Sequence, residues 1–232
     1  MIPIAKDVAL LPLLGTMVNA YLVGDVLIDA GTRHSARTLQ RLLHGHPLSA
    51  HALTHAHPDH QGSSHTICTA RQVPLWASAI EAAAMEAGTL RHVMPRNALV
   101  CAEDLVLTGP AHPVQRHLRA GDDVHGFEVL EMPGHAPGHL CFWRAQDRLL
   151  IAGDVLVNVR MPTPLPGLGE PPAVFTLDPE RNREAIRRLA ALDPLTVLFG
   201  HGPPLRNPDA LHALIARFPS PGAQTSRLPM DL

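Results

Sequence analysis

The sequence predicts an α/β domain. Three observations carry that reading. Short apolar runs of strand length alternate with capped segments of helix length, glycine and proline punctuate the boundaries, and both halves follow a strands-then-helix order. A chain of 232 residues suits one large domain or two small halves sharing a core. With 46% hydrophobic and 17% charged residues, it has the composition of a globule rather than of a disordered segment.

Residues 17–23 and 26–28 read as two strands around a Gly24-Asp25 turn. Residues 35–43, apolar at Leu39, Leu42 and Leu43, read as a helix ending near Gly45. A short buried strand at 50–54 leads into the densest cluster of polar residues in the chain. Ser78, with Glu81 three residues on, opens a helix that stops at Gly88. The stretch 89–113 is weakly periodic and reads as irregular or as an insertion. Strands follow at 127–131, 140–144 and 148–152, then a long loop at 162–172 with five prolines, a length that is often functional. Asp178-Pro179 caps a helix through 191, residues 196–199 form a last buried strand, and 208–217 a short helix. The expected division is a domain over 1–217 and a loose tail over 218–232.

Composition narrows the function. No apolar run approaches the roughly 20 residues that span a bilayer, and the early stretch 8–14 is broken by Pro12. The first residues lack a basic region leading into a long apolar one, so a cytoplasmic protein is expected. A net charge of −2 offers no broad attraction for nucleic acid or anionic membrane, which leaves a small-molecule substrate as the expected partner. Cys68, Cys101 and Cys141 are odd in number and widely spaced, against both a disulfide framework and a Cys-x-x-Cys zinc site. Lys6 is the only lysine and there are 16 histidines; nucleotide bias accounts for both totals, but not for where certain histidines fall.

The informative run is Thr54-His55-Ala56-His57-Pro58-Asp59-His60. In extended backbone, His55 and His57 share a side, Asp59 continues the alternation, and His60 follows where the chain can turn into a helix. Three imidazoles and a carboxylate this close are costly to desolvate without a partner, and a divalent cation removes that cost. Three further candidates follow apolar strands beside glycine: His135 in Pro133-Gly134-His135, Asp154 in Gly153-Asp154, and His201 in Gly200-His201-Gly202. The resulting nitrogen and oxygen donor set suits zinc, with manganese or iron as competitors. Lack of cysteine in it argues against a purely structural zinc.

His55-x-His57-x-Asp59-His60 with His135, Asp154 and His201 downstream resembles the metallo-β-lactamase superfamily. The resemblance runs from Asn19-Ala-Tyr-Leu-Val and Leu27-Ile-Asp-Ala-Gly31 to Gly200-His-Gly-Pro. It implies a four-layer αββα sandwich: two mixed β-sheets face to face, helices outside, and metals at one edge. It implies two divalent metal ions, with His55, His57 and His135 on the first, Asp59, His60 and His201 on the second, and Asp154 bridging. A hydroxide held between them would attack the substrate, with Asp59 orienting it besides ligating, so Asp59 and Asp154 are the expected catalytic residues. Asp29 is a candidate support for the histidine loop, with a strand-end cap as the alternative. His139, in Pro133-Gly-His-Ala-Pro-Gly-His139, is expected to support the site rather than ligate, and His65 to lie on the following helix past its first turn. Where the family usually has two glycines after the histidine run, this chain has Gly62-Ser63-Ser64.

Among the branches of the superfamily, a β-lactamase is disfavoured by Asp154, and an acyl-homoserine lactonase by the missing tyrosine after it, unless Asn158 substitutes. The site resembles that of the glyoxalase II group more than the substrate-binding part does, because few residues follow His201 and lysine is absent there. The expected activity is therefore metal-dependent hydrolysis of an ester, thioester or lactone carbonyl. Alternatives are a mononuclear iron sulfur dioxygenase, a lactonase or phosphodiesterase branch, or a non-catalytic metal-binding protein. The substrate walls are expected from the 155–175 loop through Met161, Leu165, Leu168 and Phe175, with Arg160 as an anion contact or a solvated surface residue.

Overall fold

The computed structural model describes residues 1–90, 92–160 and 163–218. The expected tail, apart from Phe218, and Met161 lie outside the described residues. The first sheet has seven strands in chain order: β1 (Ile2–Ala5), β2 (Val8–Pro12), β3 (Asn19–Val23), β4 (Val26–Ile28), β5 (Ala50–Ala52), β6 (Leu75–Ala77) and β7 (Arg116–His117). Its first four strands are antiparallel neighbours and its last four parallel ones. Between these strands run α1 (Ala36–Leu42), α2 (Pro58–Gln61), α3 (Ser64–Arg71), α4 (Ala79–Ala87) and α5 (Ala98–Leu107).

The second half begins with β8 (Asp123–Val124), β9 (Phe127–Glu131), β10 (Leu140–Arg144) and β11 (Leu149–Gly153). A two-stranded pair follows, β12 (Val157–Asn158) with β13 (Leu168–Gly169), then α6 (Pro179–Ala190), β14 (Thr196–Phe199) and α7 (Pro208–Ile215). The second sheet has the order β14-β11-β10-β9-β8, with β11 and β14 parallel and the other neighbours antiparallel.

The pleat decides the layers. Alternate residues of β2, β3, β9, β10 and β11 point between the sheets, where Leu10, Tyr21, Val23, Phe127, Phe142, Ile151 and Leu198 form the central core. The intervening residues face outward and are covered as well. Leu11, Ala20, Leu22 and Leu27 meet Leu39 and Ile67 of α1 and α3, while Cys141, Trp143, Leu150 and Val197 meet Ala185, Ile186 and Leu189 of α6. With both faces buried, β11 and, after Asn19, β3 read as apolar runs without polar alternation. The arrangement is the αββα sandwich, helix on sheet on sheet on helix.

Two expectations are corrected. Residues 89–113 are not irregular throughout: Asn97 caps α5, its side chain accepting from the Val100 amide. The helix escaped periodicity because Ala98-Leu-Val-Cys-Ala is apolar all round and only Val100 is buried, so no polar face marks a period. The loop at 162–172 is partly ordered by the β12–β13 pairing. In addition, β1, β2, β6, β7 and β8 were not legible as strands; three of them are two or three residues long, and β2 ends on a proline at its edge.

Directionality positions the site. Strands β9 and β11 each run antiparallel to β10, and β14 runs parallel to β11, so all three end at the same edge of their sheet. The end of β5 joins them across the sandwich, where the Leu140 amide donates to Thr54 O at 2.7 Å. Asn19 and Tyr21 of β3 fasten the same edge: Tyr21 Oη donates to Phe199 O at 2.7 Å, and Asn19 Nδ2 to Phe199 O and Gly202 O.

Candidate metal centre

All seven sequence-predicted side chains meet at this edge. Among the described residues, three groups bring their donor atoms within 4.8 Å of one another: His55, His57 and His135; His55, His60 and Asp154; and Asp59, His60 and His201. Asp154 stands between the sets, its Oδ2 3.0 Å from His201 Nε2, 3.4 Å from His60 Nε2 and 3.7 Å from His135 Nε2. His201 Nε2 also lies 3.1 Å from Asp59 Oδ2. The helix start at Pro58 makes this convergence local: extended His57 precedes it, and the turn swings Asp59 and His60 inward.

Each imidazole has one nitrogen engaged outside and the other turned inward. His55 Nδ1 meets Thr54 Oγ1 at 3.0 Å, His57 Nε2 meets Val93 O at 3.1 Å, and His60 Nδ1 meets Asp29 Oδ2 at 2.9 Å. His135 Nδ1 meets Thr176 Oγ1 at 3.1 Å, and His201 Nδ1 meets Met17 O. Such outer partners orient metal-binding histidines and set which nitrogen is free. At the inner face His55 Nε2, His60 Nε2 and Asp154 Oδ1 are buried with no hydrogen-bond partner. Unpaired buried polar atoms cost about 1–3 kcal/mol each, and a cation among them removes that cost. The residues therefore fit a metal centre.

The electrostatics divide the cluster. Burial lowers His55 and His135 well below the ordinary histidine value, and the neighbouring imidazoles push the same way. Burial likewise takes His57 down to about 4. At His60 and His201 burial also acts downward, but Asp154, Asp59 and, for His60, Asp29 outweigh it and hold both well above the ordinary value. Burial works to raise Asp59 and Asp154, and the His60 and His201 charges reverse this and hold both below the usual carboxylate range.

The supporting residues follow two patterns. Asp29 accepts from Thr54 N and Thr54 Oγ1, each at 2.8 Å, besides holding His60, so it supports the histidine loop. It does so at φ +59°, a left-handed conformation that aspartate tolerates. His139 stacks on His55, ring centroids 4.8 Å apart, while its Nε2 accepts from the Asp154 amide at 3.0 Å, so it supports the cluster from behind. Gly200 has no room for a side chain: a Cβ would stand 2.1 Å from Asp154 Oδ1. The serines that replace a family glycine are absorbed by packing, with Ser63 Oγ donating to Thr32 O and Ser64 Oγ 2.8 Å from His51 Nε2. His65 lies in the first turn of α3, not past it, because the helix is broken between α2 and α3.

Sequence reasoning missed two acids. Glu81 reads as half of a capping box, and Ser78 does accept from its amide. The carboxylate, however, turns away to accept from Ala56 N at 2.9 Å and Gly138 N at 2.8 Å, joining the two histidine loops. Glu103 of α5 lines the narrow opening onto the cluster, about 40 Å³, together with Met94, Val157, Pro171, Pro172 and Phe175. Burial raises its carboxyl to about 7, and Asp59 adds to the shift. Its signal was hidden in the stretch without a period.

The expected walls need correction. Phe175 lines the opening, but Leu165 is exposed and Leu168 packs toward α6 and α7. Arg160 is exposed and lines a separate cleft with Glu170 and Arg217, which favours the surface reading. Asn158 spends its amide on Pro203 O at 2.8 Å and does not stand in for a lactonase tyrosine. A wider cleft of about 350 Å³ opens from the same Asp59 and His201, bounded by the 13–18 loop and the end of α5.

Fold and cluster together define a metal-binding α/β sandwich enzyme. The model of the metallo-beta-lactamase superfamily matches residues 13–201, and the chain belongs to that superfamily. A probable metallo-hydrolase, YflN of Bacillus subtilis (strain 168), is 32% identical over 203 residues, which cover 78% of this chain and 76% of that one. A hydroxyacylglutathione hydrolase of Bdellovibrio bacteriovorus is 30% identical over 86 residues, only 35% of this chain and 30% of that protein. The crystal structure of TTHA1623 in a di-iron-bound form superposes with a TM-score of 0.65 at 31% identity, covering 88% of this chain and 95% of that one. The protein is a metallo-hydrolase of this superfamily. Among the described residues, no helix is long and apolar enough to cross a membrane.

Proposed function

We propose that the protein hydrolyses the carbonyl of an ester, thioester or lactone in a small substrate, at two divalent cations. His55, His57 and His135 would hold one, Asp59, His60 and His201 the other, and Asp154 both. The observation that carries this reading is the inward face, where His55 Nε2, His60 Nε2 and Asp154 Oδ1 are buried without a partner and each of the five imidazoles is held from behind. When bound, such cations supply Lewis acidity and lower the pKa of water from about 15.7 toward about 7.

The chain does the rest. Asp59 is the most open member of the cluster, its side chain 28% exposed, and it faces the cleft where an attacking water would be oriented. His139 fixes the backbone of Asp154, and Asp29 fixes His60, so neither carboxylate nor imidazole needs to reorganise during reaction. Phe175, Pro171 and Pro172 exclude bulk water from the narrow side. The all-nitrogen-and-oxygen donor set supports zinc. The di-iron form of TTHA1623 supports iron as the competitor, with manganese also compatible. The short match to hydroxyacylglutathione hydrolases, together with the Pro133-Gly-His-Ala-Pro-Gly-His139 loop, supports a glyoxalase-II-like site.

Elemental analysis of the purified protein followed by a thioester, lactone and phosphodiester screen tests the reading. Two ions per chain with cleavage of carbonyl substrates is the expected result. One iron per chain with oxygen uptake on a persulfide would replace it with a dioxygenase. A fully loaded protein without turnover would leave a non-catalytic metal binder.

A further inference from the structure

The wider cleft beside the cluster is built differently from the narrow one. Leu13, Leu14, Met17, Val18 and Leu107 make an apolar side, Thr32, His34, Ser35 and Thr38 a polar one, and Asp59 and His201 of the cluster also line it. Its volume of about 350 Å³ falls within the range of small-molecule sites, roughly 300–1,000 Å³. The narrow opening, at about 40 Å³, takes only a few atoms, and of the two larger clefts only this one is lined by residues of the cluster, Asp59 and His201.

The fold covers the apolar side only in part. Leu14 is 59% exposed, Leu13, Met17 and Leu107 are half-buried, and Val18 is buried. Scattered exposed leucines are ordinary, whereas partly uncovered apolar side chains gathered along one cleft beside a polar site mark a ligand surface. The wall is also registered to the cluster, because Met17 O is the outer partner of His201 Nδ1. A ligand lying against Met17 is thereby held at a set position from His201 Nε2 and Asp59.

Resting on the carbonyl-hydrolase reading, we propose that this cleft binds the alkyl chain of the substrate's acyl group. The scissile carbonyl then lies at the Asp59–His201 end, and the polar leaving group faces the narrow side that Glu103 lines. The substrate class is an uncharged ester or thioester of a medium-length aliphatic acid.

The test uses the zinc-loaded protein and S-acyl-N-acetylcysteamine thioesters from acetyl to decanoyl. In the expected result kcat/KM rises about three- to fourfold per methylene until the cleft is full, following the transfer free energy of each buried methylene. Acetyl esters of alcohols of increasing length show no such rise. Leu107→Asn and Met17→Ser lower the octanoyl-to-acetyl ratio at least about tenfold, since several methylenes lose their apolar wall. Independently of turnover, a dansylated undecanoic acid binds the chelator-treated protein. It is displaced by octanoate but not acetate, and binds weakly to Leu107→Asn. A flat acyl series in an active enzyme, or a gradient that follows the alcohol instead, overturns the proposal and leaves the hydrolase reading standing. Probe binding that depends on Leu107, with no ester or thioester cleaved, supports the cleft as an alkyl site and removes the hydrolase reading.

Discussion

The two halves of the candidate metal centre are made from different chemistry, and the mixed half lies nearer the surface. His55, His57 and His135 are imidazoles alone, buried to 2% exposure or less, and their pKa values lie below the ordinary one. Asp59, His60 and His201 mix carboxylate with imidazole, and the two kinds of group hold each other charged. The first half offers neutral lone pairs and contributes no counter-charge of its own. The second is already balanced by ion pairs, with Asp29 behind it. Asp154 lies against both, 3.4 Å from His60 and 3.7 Å from His135.

The largest break in that comparison comes from the all-imidazole half. His57→Ala is expected to empty that half and lower kcat/KM by well over the roughly 10–100-fold that loss of a merely supporting group costs. Retained metal stoichiometry by elemental analysis would contradict the assignment. Asp154→Asn should lower metal affinity in both halves at once, and titration calorimetry showing one unaffected step would deny it a shared role. Asp29→Asn tests the asymmetry itself. It should weaken metal binding in the mixed half about 10–100-fold and leave the imidazole half loaded.

Glu81 sharpens the picture through stability. Burial raises its carboxyl to about 7 against the pull of the Ala56 and Gly138 amides. A folded pKa above the unfolded one means that the fold favours the protonated acid. That contribution is full below the unfolded value of about 4.3 and is lost as pH rises through about 7. Glu81→Gln cannot titrate, so the melting temperature of the parent protein should fall more steeply than the variant's over this window; parallel profiles would sink the idea. The smallest effect is expected at Arg160. Its place in the cleft with Glu170 means that Arg160→Ala leaves KM unchanged for anionic and neutral esters alike. A rise confined to anionic substrates would return it to the site.

What could be read in advance follows from range. The ligands were legible because short-range rules cover them: alternation places His55 and His57, and glycine-flanked strand ends mark His135, Asp154 and His201. Asp29 was half legible, since an aspartate inside Leu27-Ile28-Asp29 asks for a partner but does not say which. Glu81 was misread because a local cap explains its position fully, while its carboxylate answers to Ala56 and Gly138, 25 and 57 residues away. Helix α5 was missed because its first five residues are apolar on every side and carry no phase, and Glu103 and Leu107 were lost with it. The substrate walls were assigned to the 155–175 loop by its apolar residues, and Phe175 does line the opening with Val157, Pro171 and Pro172, but apolar character does not tell that Leu165 faces solvent and Leu168 faces α6 and α7.

The hydrogen bonds of Asn19 and Tyr21 to Phe199 and Gly202 have a consequence for how the molecule comes apart. They tack one sheet to the other at the rim that carries the cluster, while His55, His57, Asp59 and His60 belong to one leaf and His135, Asp154 and His201 to the other. An ion gripped from both leaves would act as a rivet through the hinge side of a closed book. The leaves would part there only after the ion had gone, so loading and heat resistance are expected to rise together.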